Sequence, residues 1–121
     1  MRIGIPVWEG KVSPVLDTAL KLQVVEVENQ KVASRSLYHM NEHDLNRRCA
    51  RIRGMEVDTI ICGAISHPFL RMLMASGIHV IREISGTAED VLETYLQGKL
   101  FDSNYIMPWC KRNQCKGNKQ A

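Results

Sequence analysis

The feature that most constrains the fold is an apolar run near the middle of the chain. The run Thr59–Cys62 reads Thr-Ile-Ile-Cys and is followed by a glycine. A short apolar run of this kind is typical of a buried strand in a parallel sheet. Ser66 and Pro68 then suit the start of a helix. The stretch predicts a strand, a turn and a helix, with the Cys62 thiol and the His67 imidazole near the carboxyl end of the strand, where open α/β sheets usually bind ligands.

The rest of the chain alternates strand and helix patterns. We predict strands over residues 2–7, 22–28, 31–39, 57–62 and 78–82, with a turn at Asn29-Gln30 and one helical turn over 15–20. A helix over 42–53, capped by Asn41, is followed by one that starts at Ser66–Pro68, carries Phe69, Leu70, Leu73 and Met74 inward, and stops at Gly77. A last helix is capped by Thr87 and closed by Gly98. This order predicts an α/β fold with a mixed five-stranded sheet flanked by helices, whose first strands are antiparallel and whose later strands are parallel.

Length and composition predict one globular domain. The chain has 121 residues, of which 24% are charged and 45% hydrophobic, as in ordinary soluble proteins. We place the domain at residues 1–101 and a flexible, basic, cysteine-containing tail at 102–121. The start of the chain looks like a core strand rather than a leader, so a cytoplasmic location is expected and the four cysteines are expected to be thiols or metal ligands.

The charge pattern argues against a nucleic-acid partner. The net charge is +3, and one group of basic residues lies on the first predicted helix, at Arg47, Arg48, Arg51 and Arg53. Nucleic-acid binding favours a contiguous basic face interleaved with aromatic residues, and no aromatic residue stands among these arginines. No apolar run is long enough to cross a membrane. We therefore expect neither a nucleic-acid nor a membrane partner.

Four residues are candidate metal ligands, and each has a structural alternative. Cys62 could equally fill space in the core, as buried cysteines often do, and His67 could be an ordinary surface histidine. Cys110 and Cys115 form a C-x4-C pair among basic residues that favour thiolate. Two thiolates cannot close a tetrahedral site, so they would need Cys62, His67 or a second subunit, and a homodimer stays open. Their alternative is a tail whose thiols are incidental or redox-active.

Several segments in order resemble one known family over about residues 1–101. They are Val12-Ser13-Pro14, Asp17-Thr18-Ala19, Ile60-Ile61-Cys62-Gly63-Ala64-Ile65, Ser76-Gly77-Ile78-His79-Val80, Gly86-Thr87-Ala88-Glu89-Asp90-Val91-Leu92 and Tyr95-Leu96-Gln97-Gly98-Lys99-Leu100. The family is that of dinitrogenase iron–molybdenum cofactor biosynthesis, with its NifX- and NafY-type carriers and the C-terminal domain of NifB-type proteins. The resemblance implies a three-layer ribonuclease-H-like fold, a link to nitrogen fixation, and binding or carriage of iron–sulfur or molybdenum-containing clusters without turnover.

The chain departs from the family pattern at two places. Leu16-Asp17 stands where relatives usually have a phenylalanine–glycine pair, and Ser66-His67-Pro68 stands where they often have a glycine-rich turn. These departures favour ligation of a cluster by side chains over contact with the backbone.

The sequence favours a carrier over an enzyme. A nuclease of this fold needs clustered carboxylates for paired metal ions, whereas the acidic residues here are scattered, and no phosphate-binding or dinucleotide motif occurs. We expect a metallocluster carrier or assembly accessory, with Cys62 and His67 lining the cleft and Ser13 and the Gly63 backbone hydrogen-bonding the cluster. The tail thiols would close over the cluster and release it to a protein acceptor. The alternative is a regulatory or interaction domain that keeps the fold without a cluster.

Overall fold

The computed structural model describes residues 1–98, which form an α/β domain around one mixed sheet. The strands are β1 (Arg2–Trp8), β2 (Lys11–Val12), β3 (Lys21–Glu28), β4 (Lys31–His39), β5 (Thr59–Ile61) and β6 (His79–Ile81). The helices are α1 (Leu45–Gly54), α2 (His67–Ala75) and α3 (Ala88–Leu96), and a 3-10 turn spans Leu16–Thr18.

The sheet confirms the predicted mixture of strand directions. Its order is β4-β3-β1-β5-β6, with β2 paired to β1. β1, β3 and β4 pair antiparallel, and β1, β5 and β6 pair parallel. The predicted number of five strands was wrong, because the sheet has six. The missed strand, β2, has two residues, which is too short for a periodic pattern to show.

Helices cover both faces of the sheet and create two cores. One core joins Ile3, Ile5 and Ile61 to the α3 residues Val91 and Leu92. The other joins Leu22, Val24 and Ile60 on the opposite face to α1 and α2, through Ile52, Phe69 and Leu73. Side chains alternate between the faces of a strand, so Ile60 and Ile61 pack into different cores. The described part of the chain therefore has three layers, while the ribonuclease-H-like classification stays a prediction.

Two details of the helices differ from the prediction. α1 begins at Leu45 rather than at residue 42, because Asp44 is its N-cap and accepts a hydrogen bond from the Asn46 backbone. On α2, Phe69 and Leu73 are buried as predicted, but the Met74 side chain is 61% exposed. Position 74 lies one residue beyond the buried i, i+4 stripe of this short helix.

The predicted tail, residues 102–121, lies outside the described residues together with Cys110 and Cys115. Gly98, the last described residue, shares a cavity of about 580 Å³ with Met1, Val27 and Asn29. This cavity is at the amino end of β1, because β1 starts at Arg2 and its neighbour β3 ends at Glu28. The chain therefore leaves the described domain at the edge opposite to the turn that follows β5.

Candidate functional site

The candidate site is the place where two loops meet at the carboxyl ends of the parallel strands. One loop follows β2 and the other follows β5. The Ala64 amide donates to the Pro14 carbonyl at 2.7 Å, and the Leu16 amide donates to the Ala64 carbonyl at 2.9 Å. These two bonds form an isolated parallel bridge between Val15 and Ala64. They fix the first loop, residues 13–20, against the turn after β5.

Gly63 permits this close approach. A Cβ atom at Gly63 would lie 2.6 Å from the Pro14 carbonyl oxygen and 2.9 Å from that of Ser13. Both contacts are with backbone, which cannot swing away as a side chain can. The requirement at this position is therefore for a residue without a side chain.

Asp17 holds the first turn of α2. Its carboxylate accepts hydrogen bonds from both the Ser66 backbone amide, at 2.9 Å, and the Ser66 hydroxyl. The Ser66 Oγ in turn accepts from the Phe69 amide and caps α2. A carboxylate next to a helix N-terminus is favoured by the helix dipole. The anion-binding end of α2 is thus occupied by a side chain of the protein itself.

Arg48 secures the same loop from the other side. The residue is only 4% exposed, and its guanidinium donates to the carbonyls of Ala19 at 2.9 Å, Leu16 at 3.4 Å and Glu42 at 2.7 Å. Burial lowers the pKa of Arg48 from its usual value, and the charges of Glu42 and Asp17 oppose this shift. The guanidinium replaces water as the hydrogen-bond donor to these carbonyls. Because Arg48 belongs to α1, these bonds anchor the loop to that helix.

Cys62 and His67 differ in their exposure to solvent. The Cys62 side chain is fully buried among Leu16, Phe69 and the other apolar residues of the α1 and α2 core. His67 is the first residue of α2 and is exposed. One ligand candidate thus faces the core and the other faces solvent. The assignment of both residues as ligands stays a prediction. A cluster that approaches from solvent would contact the exposed His67 before the buried Cys62.

Ser13 and Gly63 are both buried in the loop contact. The Ser13 amide donates to the Pro6 carbonyl at 2.7 Å, and Ser13 also lines a groove of about 300 Å³. The Gly63 carbonyl accepts from the Glu83 amide at 2.8 Å. The contact of Ser13 and Gly63 with a cluster stays a prediction. Of the two residues, Ser13 is the one that lines a groove.

Two residues of the site, Asp17 and Arg48, were not predicted from the sequence. Asp17 was one of several acidic residues scattered along the chain, and Arg48 was one of four arginines on a basic helix. Arg48 could have been separated from the others, because it precedes Ile52 by four residues and so shares its helix face. No local signal marks Asp17, whose partner Ser66 lies far away in the sequence.

Residues 1–98 contain no group of three or more His, Cys, Asp or Glu side chains that could hold a metal ion. In the same part of the chain, every helix is too short or too polar to cross a membrane.

Comparison with solved structures shows the fold. The crystal structure of PH0822 matches with a TM-score of 0.78 and 19% identity, covering 82% of this chain and 91% of that one. The crystal structure of MJ0327 from Methanocaldococcus jannaschii matches with a TM-score of 0.69 and 17% identity, covering 82% and 90%. The apo form of the orange protein from Desulfovibrio gigas matches with a TM-score of 0.68 and 17% identity, covering 81% and 88%.

Sequence comparison gives the family. No curated protein matches the chain significantly. The family model described as "Dinitrogenase iron-molybdenum cofactor" matches residues 1–98, which include both loops of the candidate site and every described helix and strand. The resemblance inferred from the sequence is confirmed: the chain belongs to the dinitrogenase iron–molybdenum cofactor family.

Proposed function

We propose that this protein is a non-enzymatic carrier or accessory that binds a metal cluster during assembly of an iron–molybdenum-type cofactor. The observation that carries the proposal is the family match, which spans the whole described domain and its candidate site. The cargo would be an iron–sulfur or molybdenum-containing cluster, received from one protein and passed to another.

His67 is the ligand that the described residues offer most directly. It is exposed at the start of α2, where the adjacent proline and the Ser66 cap restrict the backbone. Imidazole is a common ligand of iron, copper and zinc. A single imidazole binds weakly, so further ligands must join it.

Cys110 and Cys115 are the proposed source of those ligands. The chain leaves the described domain at Gly98, at the edge opposite to His67. The dozen residues from Gly98 to Cys110 can span at most about 40 Å when fully extended. The proposal requires that this length brings the two thiols to His67, and the basic residues Lys111, Arg112 and Lys116 beside them favour thiolate.

Cys62 would contribute only after the site opens. Its side chain is fully buried in the same core as Leu16 of the loop that follows β2, so we propose that a cargo could reach it only if residues 13–20 moved. The proposal therefore assigns the first capture to His67 and the tail thiols, with Cys62 as a later ligand.

Metal content after anaerobic reconstitution with ferrous iron, sulfide and molybdate tests the proposal. The wild type is expected to retain iron or molybdenum, and the Cys110→Ser/Cys115→Ser double variant to lose most of it. Cys49→Ser is the matched control, because Cys49 is a buried thiol on α1 that contacts Ser76 at 3.6 Å, away from the two loops. The proposal is contradicted if the wild type holds no iron, molybdenum or copper after anaerobic purification and no iron or molybdenum after reconstitution.

The second candidate is a regulatory or interaction domain that keeps the fold without a cluster. It is favoured by one observation, the full burial of the Cys62 side chain in the core. The reconstitution experiment separates the two candidates, because the second predicts that the wild type, Cys49→Ser and the double variant all hold no metal above background.

A further inference from the structure

β4 is an edge strand with exposed apolar side chains on both of its faces. It has nine residues, stands at the end of the sheet order and pairs with β3 alone among the described strands. Leu37 is 54% exposed and Tyr38 is 37% exposed, and consecutive residues of a strand point to opposite faces of the sheet. A long edge strand without proline is open to pairing with a further strand.

The backbone groups on the outer side of β4 follow from its pairing with β3. The Met40 amide, directly after β4, donates to the Leu20 carbonyl, directly before β3, at 2.7 Å. Backbone groups alternate between the two sides of an antiparallel strand, so Ser36 and Tyr38 also point to β3. The residues between them point their N–H and C=O groups outward, and these are Arg35, Leu37 and His39.

The chain leaves the described domain beside the start of β4. Gly98 lines the cavity of about 580 Å³ together with Asn29 and Gln30, which connect β3 to β4. A segment that continues from Gly98 along the outer side of β4 would therefore run in the same direction as this strand. It would travel from the amino end of β1 towards the opposite edge of the sheet.

The sequence after Gly98 matches this edge in length and residue type. Residues 105–107 read Tyr-Ile-Met, and tyrosine and isoleucine favour strands. Pro108 follows them, and a proline cannot donate to a ladder, so a strand is expected to end there. Two extended segments advance at the same rate per residue. Counting from Gly98 beside the β3–β4 turn, residues 105–107 fall beside Leu37 and Tyr38.

We propose that residues 103–107 add to the sheet as a seventh strand, parallel to β4. Their backbone would pair with the outward groups of Arg35, Leu37 and His39. Their apolar side chains would cover the exposed Leu37 on one face and the exposed Tyr38 on the other. One added strand thus satisfies both the open backbone and the apolar side chains of this edge.

The connection through α3 has the expected handedness. α2 connects β5 to β6 on the face of the sheet that carries α1, and it moves away from β1. α3 packs on the opposite face and would carry the chain from β6 back past β1 to the outer side of β4. Reversing both the face and the direction leaves the hand unchanged, and parallel crossovers are almost always right-handed.

The added strand gives the tail thiols a route to the candidate site, and in this respect the inference rests on the proposed function. The residue after β4 donates to the loop of residues 13–20, which belongs to the site. Cys110 follows Pro108 by two residues. A strand that ends at Pro108 beside the end of β4 would deliver Cys110 to this loop, on the edge of the sheet where His67 begins α2.

The tail fits this edge better than a second copy of the chain does. Because the tail is attached beside the start of β4, its local concentration there is on the order of millimolar. Residues 103–107 carry no charge. A second β4 would instead bring Lys31 and Arg35 of both copies to one edge, and like charges on paired strands are unfavourable.

Amide hydrogen exchange of the metal-free full chain, followed residue by residue by NMR, tests the inference. The outward amides of the wild type should exchange at least about tenfold more slowly than those of Ile106→Pro, because proline interrupts a strand. The Ser36 and Tyr38 amides, which face β3, should stay protected in both proteins. Asn113→Pro is the matched control, because it introduces the same residue beyond Pro108, and its rates should equal those of the wild type. The outward amides are those of Arg35, Leu37 and His39.

The inference is overturned if the outward amides exchange equally fast in the wild type and in Ile106→Pro, or if Asn113→Pro has the same effect as Ile106→Pro. Protection that rises with protein concentration would assign the edge to a second copy and would also overturn it. Reconstitution separates this result from the proposed function. Protected outward amides in a protein that holds no metal uphold the strand and contradict the carrier, whereas metal bound without this protection upholds the carrier and overturns the strand.

Discussion

Replacing Gly63 by alanine tests the loop contact on which the candidate site depends. The new methyl group would lie 2.6 Å from the Pro14 oxygen and 2.9 Å from the Ser13 oxygen, so the loop after β2 must move. Overpacking of this kind costs about 1–3 kcal/mol. The movement also strains the two hydrogen bonds between the loops, each worth about 1 kcal/mol. We expect the free energy of unfolding to fall by about 3 kcal/mol in total.

Urea unfolding followed by far-ultraviolet circular dichroism measures this loss. Gly54→Ala is the matched control, because no atom lies within 4 Å of the added Cβ at this position and the residue ends α1. Alanine there should stabilise the protein by up to about 1 kcal/mol through its helix propensity. If Gly63→Ala lowers the free energy of unfolding by less than about 0.5 kcal/mol, the reasoning about the loop contact is wrong.

Three further changes probe the contacts around the site. Asp17→Asn should lower the free energy of unfolding in urea by about 1–2 kcal/mol, because it weakens the charge-assisted hydrogen bonds to Ser66; an unchanged midpoint would refute this. Arg48→Met should cost about 2–3 kcal/mol in the same assay, since it removes the guanidinium that donates to the carbonyls of Glu42 and Ala19, and a loss below that of Asp17→Asn would argue against it. Hydrogen bonding to Arg2 lowers the pKa of Glu26 below its usual 4.5. The stability from this pair is therefore present above about pH 4.5 and is lost as pH falls further. In thermal unfolding between pH 6 and pH 3, Glu26→Gln should lose less stability than the wild type, and parallel curves would contradict this.

Local signals in the sequence were sufficient to predict most of the secondary structure. The turn at Asn29-Gln30 was predicted from residue type, and both residues have positive φ. Ser66 and Thr87 cap α2 and α3 as predicted. Each of these features depends on a few consecutive residues and their hydrogen bonds, so the sequence pattern carries it.

The site was harder to predict, because its contacts join distant segments. The proximity of Cys62 and His67 in the sequence suggested a shared cleft, which stays a prediction. What the sequence did not show is that the thiol is buried in the core whereas the imidazole is exposed. The bond between Asp17 and Ser66 and the burial of Arg48 depend on how the loop after β2 packs between α1 and α2. No pattern within a single segment encodes that packing.

The two-residue strand β2 has a consequence for the order of folding. Its hairpin is tied to the start of α3, because the Ala88 amide donates to the Gly10 carbonyl at 3.0 Å and Lys11 bridges Thr87. These bonds close a loop that contains most of the described chain, and the entropic cost of closure rises with loop length. We therefore expect the hairpin tip to reach its native position late, after α3 has docked. During synthesis, the hairpin tip would then reach its native position only once the last described helix has formed.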